Sequence, residues 1–257
     1  MTYKSWTHAF QCGKTSKKPI GCGKLKYIYG GTDARSHSWP WMAVILNEDA
    51  DKVECGGFLI SPKTIITAAH CVNSENSIDF LIGLGVHDIE NIHENDLYNI
   101  DKIIIHRDFN VINADNDIAI IVLKDSADFS DNIQPICLPS KDIDEIKKCY
   151  SSGWGSTYRN SGQSRYLKQV CLPLIPWKDC EDIYGNDLTK NMICAGDIKR
   201  GVIDTCEGDS GGPLMCYTNK WEVYGITSWG YGCGEPNNPG VFTDINRFLD
   251  WIEENKV

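Results

Sequence analysis

Twelve cysteines are spread over 257 residues, and no two of them stand three positions apart. The zinc-type Cys-x-x-Cys pair is therefore absent, and a reducing cytosol has little other use for so many thiols. Disulfides are the expected use, and with them secretion into an oxidising, extracellular compartment. Such a framework suits many short strands joined by turns, and 23 glycines and 10 prolines punctuate the chain accordingly. At 42% hydrophobic it can fill a sizeable core, in one large all-β domain or two small ones. No apolar run approaches the ~18 residues of a membrane helix, so no membrane partner is expected. The opening MTYKSWTHAF lacks the apolar core of a signal peptide, so the cysteines alone carry the expectation of secretion.

Net charge is −10, unevenly placed: Met1–Lys26 hold six lysines and no acid, so the acidic balance lies in the rest of the chain. An acidic body attracts basic partners and repels nucleic acid. After the basic leader, short apolar runs alternate with turn signals. They fall at Trp41–Leu46, Phe58–Ile60, Lys102–His106, Ile118–Leu123, Cys171–Ile175, Trp221–Ile226 and Gly240–Phe242. Their spacing predicts strands of a sandwich or barrel. From Asp244 onward Ile245, Phe248, Leu249 and Ile252 follow helical spacing, with Asp244 as a candidate cap.

The most informative segment is Gly208-Asp209-Ser210-Gly211-Gly212-Pro213. A serine becomes nucleophilic when it stands exposed on a tight turn beside a base that takes its proton. The glycines let the backbone turn so that the N–H groups of Gly208 and Ser210 face one point, where an oxyanion would form. Two further strings complete a constellation: Thr67-Ala68-Ala69-His70-Cys71 and Asn116-Asp117-Ile118-Ala119.

On these three motifs, and on the chain order His, Asp, Ser, residues 28–257 resemble the chymotrypsin–trypsin family of serine proteases. The resemblance implies two packed six-stranded antiparallel β-barrels with a C-terminal α-helix. It implies catalysis by His70, Asp117 and Ser210, with Gly208 and Ser210 as the oxyanion hole. The other five histidines carry no such setting. It also divides the chain into a leader or activation segment, 1–27, and a protease domain, 28–257.

The family places a specificity-determining residue six before the nucleophile, here Asp204, which implies cleavage after Arg or Lys. Gly230 and Gly240 match the glycines that keep the slot open, and Ser228-Trp229-Gly230 the segment that pairs with substrate. Thr205 is bulkier than the usual neighbour of that aspartate, and Phe242 replaces a common tyrosine. Pro239 argues against a sodium site. Val86 stands where calcium-holding members carry a carboxylate, so Glu90, Glu94 and Asp96 read as solvated charge. No metal or cofactor is expected, and no Asn-x-Ser/Thr sequon occurs.

The resemblance further implies disulfides Cys55–Cys71, Cys149–Cys216, Cys180–Cys194, Cys206–Cys233 and Cys22–Cys137, the last tying the leader to the body. Cys12 and Cys171 are left over and are expected to pair with each other, the alternative being a bond from Cys12 to another chain or to a portion of a larger N-terminal region. Activation implies a cut before Ile28-Tyr29-Gly30-Gly31, whose new ammonium pairs with Asp209. A trypsin-like activator would cut after Lys26, leaving Tyr27 as an extra residue and displacing that ammonium by ~3.5 Å. An activator accepting Tyr27, or trimming of Tyr27, resolves this. The implied partners are protein substrates, an activating protease and protein protease inhibitors. The competing expectation is a catalytically silent homologue that works as a binding or regulatory module.

Overall fold

The computed structural model describes residues 11–22, 31–143, 146, 148–156, 162–199, 201 and 208–257. After a two-residue strand β1 (Thr32–Asp33), six strands close on themselves: β2 (Met42–Leu46), β3 (Val53–Ser61), β4 (Thr64–Thr67), β5 (Leu81–Leu84), β6 (Leu97–Ile105) and β7 (Ala119–Leu123). Every pairing is antiparallel, in the closed order β2-β3-β4-β7-β6-β5. The runs MAVIL, TIIT and AIIVL lack alternation because every one of their residues is buried. One face fills the barrel interior and the other is covered by neighbouring structure. Ile65, Ile66, Ile120 and Ile121 are fully buried, each worth about 1.5–3 kcal/mol of hydrophobic transfer.

A second ring follows from β8 (Lys148–Gly153), β9 (Lys168–Ile175), β10 (Met192–Ala195), β11 (Pro213–Tyr217), β12 (Trp221–Trp229) and β13 (Gly240–Asp244). Its order is β9-β10-β13-β12-β11-β8, and pairing of β8 with β9 closes it while β1 adds to the outside of β9. The fold is thus two six-stranded antiparallel barrels, as expected. The strands missing from the sequence reading, such as KCYSSG in β8 and LIGL in β5, are short or rich in Ser and Gly. They take strand form because barrel closure supplies partners on both sides.

Three short helices complete the chain: α1 (Ala69–Val72), α2 (Trp177–Tyr184) and α3 (Leu249–Asn255). The turn Ile245–Phe248 leads into α3, and the Asp244 carboxylate accepts the Asn246 N–H at its start. Phe248 and Ile252 are buried in the core, and the Val257 carbonyl accepts from Ser61 and Thr64 at 2.6 and 2.9 Å. The closing helix therefore lies on the first barrel. Among the described residues, no helix is long and apolar enough to cross a membrane.

Three expected disulfides are present: Cys55–Cys71, Cys149–Cys216 and Cys180–Cys194. Cys206–Cys233 lies outside the described residues. The leader pairings are exchanged: Cys12 joins Cys137 and Cys22 joins Cys171, in place of Cys22–Cys137 and Cys12–Cys171. The path of the leader explains the correction. Gly13 donates to the Pro135 carbonyl and accepts from the Trp221 N–H, which sets Cys12 over Cys137 with Cα atoms 4.9 Å apart. Farther on, the Ile20 carbonyl accepts from Gln169 and the Cys22 N–H donates to the Tyr150 hydroxyl. Cys22 is thereby brought to β9, 5.6 Å from Cys171. Both separations lie in the range a disulfide spans, and sequence spacing alone fixes no connectivity.

Candidate active site

The site residues come from both barrels. His70 sits in α1, directly after β4, and its neighbour Cys71 is bonded to Cys55 of β3. Asp117 stands just before β7, behind Asn116, whose φ of +56° is tolerated by asparagine better than by most residues. The Ile118 N–H returns to the Asn116 carbonyl, making a tight turn with Asp117 at its centre.

Asp117 is wholly buried, and its carboxylate is held by three donors. Oδ1 accepts the His70 backbone N–H at 2.9 Å, while Oδ2 takes the His70 Nδ1–H at 2.7 Å and the Ser228 hydroxyl at 2.5 Å. A buried carboxylate needs such partners to stay ionised. The same contacts settle the imidazole: Nδ1 carries the proton and Nε2 is left as an acceptor, on a side chain that is 34% exposed.

Ser210 stands on the turn before β11. The Gly56 N–H takes its carbonyl at 2.8 Å, Gly211 donates to Thr227 and Gly212 to Asp209. Gly211 has a φ of +78°, and a Cβ there would lie 2.2 Å from Thr67 Oγ1, so only glycine fits. Gly208, at φ +93°, precedes it. Neither the Gly208 nor the Ser210 N–H makes a backbone hydrogen bond among the described residues. Among the described residues Ser210 Oγ makes no hydrogen bond, to His70 or to any other group. His70 Nε2 lies 3.7 Å from Cys71 Sγ.

Asp209 turns its side chain toward the loop after β8, where the Gly155 N–H donates to Oδ1 at 2.9 Å. A Cβ on Gly153 would lie 2.2 Å from that oxygen, and one on Gly155 between 2.6 and 2.8 Å from the carboxylate. The sequence reading missed these two cradle residues, although the string Gly153-Trp154-Gly155 is the usual signal of a close approach.

Ser228 was placed with the substrate segment, and the hydrogen bond to Asp117 was not foreseen. A bulge causes it: Thr227 faces Phe242 and Trp229 faces Val241, so Ser228 is the extra residue and its hydroxyl is aimed out of the ladder. Trp229 is braced edge-on by Tyr184 and Tyr231. A Cβ on Gly230 would stand 3.9 Å from Gly240 Cα and from the Gly232 carbonyl oxygen, so the two glycines lie close to each other. Asp204, Thr205 and Ile28 lie outside the described residues.

The His/Cys cluster of Cys55, His70 and Cys71 offers no thiolate for a metal, since its two sulfurs are joined to each other. Glu90, read as solvated charge, is exposed and pairs with Arg165 at 2.7 Å, which also grips Asp88. A family model described as Trypsin matches residues 28–252. With its paired barrels and that match over most of its length, this chain belongs to the trypsin family of serine proteases.

Proposed function

We propose that the chain is a secreted endopeptidase, made as a zymogen, that hydrolyses peptide bonds after Arg or Lys. The observation that carries the reading is the buried Asp117 carboxylate locked onto His70 Nδ1. A surface histidine has no use for so costly a partner, whereas a general base needs a fixed tautomer and a stabilised imidazolium. His70 Nε2 then takes the Ser210 hydroxyl proton as Oγ attacks the scissile carbonyl, and returns it to the leaving amine. The Gly208 and Ser210 N–H groups receive the oxyanion. Water repeats the cycle on the acyl-enzyme. Unliganded sites commonly hold such hydrogen bonds long until substrate binds, which is the condition we assign to Ser210 Oγ.

Asp204 at the base of the slot selects the cationic side chain, with Thr205 beside it and Gly230 and Gly240 as its walls. Ser228-Trp229-Gly230 lends an edge to the substrate backbone. Residues 1–27 are the leader and 28–257 the protease domain. A cut before Ile28 releases the ammonium that pairs with Asp209. Export follows from the disulfides, and protein inhibitors that fill the same slot are natural partners.

The second reading, a silent homologue, draws on the absence, among the described residues, of a hydrogen bond from Ser210 Oγ. A serine-directed phosphonylating probe, applied before and after limited proteolysis, separates the two, with N-terminal sequencing of the product. Labelling at Ser210 after release of Ile28, with cleavage after Arg and Lys abolished by Asp204→Ser, supports the protease. No labelling under either condition sinks it.

A further inference from the structure

The leader and the β11–β12 turn face each other across a groove of about 1020 Å³ that none of His70, Asp117 and Ser210 lines. Among the described residues its charged side chains are Lys14, Lys18 and Lys220, and no Asp, Glu or Arg lines it. That is unusual on a protein of net charge −10. Glu222, the neighbour of the lining residue Trp221, is fully buried. It is occupied there by Ser140, Thr218 and Tyr224, with Lys220 Nζ 3.7 Å away. Lys220 is thus paired with a buried carboxylate, while Lys14 and Lys18 make no ion pair among the described residues, which leaves a positive patch on the leader side of the groove.

Its floor is aromatic. Tyr217 is 61% exposed, and its ring is held edge-on against Trp221 with centroids 5.2 Å apart. Thr15 and Asn219 add hydroxyl and amide groups. Among the described residues no Leu, Ile, Val, Met or Phe lines the groove, so they offer a peptide no pocket for an apolar anchor. Flexible ammonium groups around exposed aromatic faces suit a different ligand: sulfate esters meet the lysines while the C–H face of a pyranose stacks on the ring.

We infer that this groove binds a sulfated, acidic oligosaccharide of the glycosaminoglycan type. Its walls are covalently fixed, since Cys12–Cys137 and Cys22–Cys171 pin the leader at both ends and Gly13 joins it to Trp221 by a backbone hydrogen bond. Little chain ordering is then required on binding. Because the leader is held by disulfides, a backbone cut beyond Cys22 leaves the groove intact.

The test is calorimetric titration of the full chain with a heparin-derived octasaccharide at about 0.15 M salt. An unsulfated chitin oligosaccharide and a polyglutamate peptide serve as comparators. Binding of the octasaccharide alone is expected. Joint Lys14→Ala and Lys18→Ala substitution, at exposed positions that leave folding intact, weakens it at least about tenfold and lowers the log–log salt slope by about 2. Tyr217→Ala weakens it about threefold to tenfold with the salt slope unchanged. Should Tyr217→Ala disturb folding, the lysine variant decides alone. The inference is overturned by failure of the octasaccharide to bind, by unchanged affinity in the lysine variant, or by polyglutamate binding as tightly. Equal affinity of a well-folded Tyr217→Ala protein would overturn it too.

Discussion

The Ser228 hydroxyl lies 2.5 Å from Oδ2 of Asp117, the same oxygen that receives the His70 Nδ1–H. Two donors thus share one oxygen of a buried carboxylate, and the second is supplied by the other barrel. A hydrogen bond to a charged group contributes about 1.5–3 kcal/mol. Ser228→Ala should leave the Asp117 carboxylate with one donor fewer, hold the imidazole less firmly and lower kcat about tenfold. Asp117→Asn removes the charge itself and should cost about four orders of magnitude, as in another triad protease. Steady-state kinetics on both variants check this. An unchanged kcat in Ser228→Ala would show that the hydroxyl only packs.

Ser210→Ala should lower turnover by about six orders of magnitude, by analogy with another triad protease. Single-turnover kinetics with a peptide ester measure it. A mild loss would mean that a different side chain supplies the nucleophile.

Gly155 has no room for a side chain beside Asp209. Gly155→Ala should drive the carboxylate from its cradle, so that the Ile28 ammonium has no partner after activation. Probe labelling and peptide cleavage should fall at least about a hundredfold. The melting temperature should change little, because the site lies in a loop rather than in the barrel core. Full labelling of the alanine variant would contradict the inward role of Asp209.

Two disulfides hold the leader, at Cys12–Cys137 and Cys22–Cys171. After cleavage before Ile28 the fragments should stay joined when either pair is replaced by serine, and separate only when both are. Non-reducing electrophoresis reads this directly. Release of the leader by joint Cys12→Ser and Cys137→Ser alone would refute the second tether.

Burial holds His37, His87 and His106 below the ordinary imidazole value of 6.5. The unfolded chain then binds more protons than the folded one at mildly acid pH. Their contribution to stability is complete above pH 6.5 and is lost as pH falls through the depressed folded values. Asp88 behaves alike in a lower window. Its hydrogen bonds to Arg165 hold it at about 2 against an ordinary 3.8, so its contribution is kept above 3.8 and lost as pH falls through about 2. Thermal melts should show a decline beginning near pH 6.5, made shallower by His87→Gln. A flat profile down to about pH 5 would contradict the histidine assignment.

The chain's own order of residues determined much of this. Strings such as Gly208–Pro213 and Ala68–Cys71 are local, and a tight turn or a short helix needs only its own residues. Fully apolar runs such as AIIVL announced buried strands in the same way. The tertiary structure decided what depends on distances between remote segments. It exchanged the partners of Cys12 and Cys22, because hydrogen bonds at Gly13 and Ile20 fix where the leader crosses the barrels. It turned Ser228 onto Asp117 through a bulge that becomes visible only once β12 pairs with β13. A sequence states which groups are present and their local conformational preferences, while closure of the two barrels sets which of those groups meet.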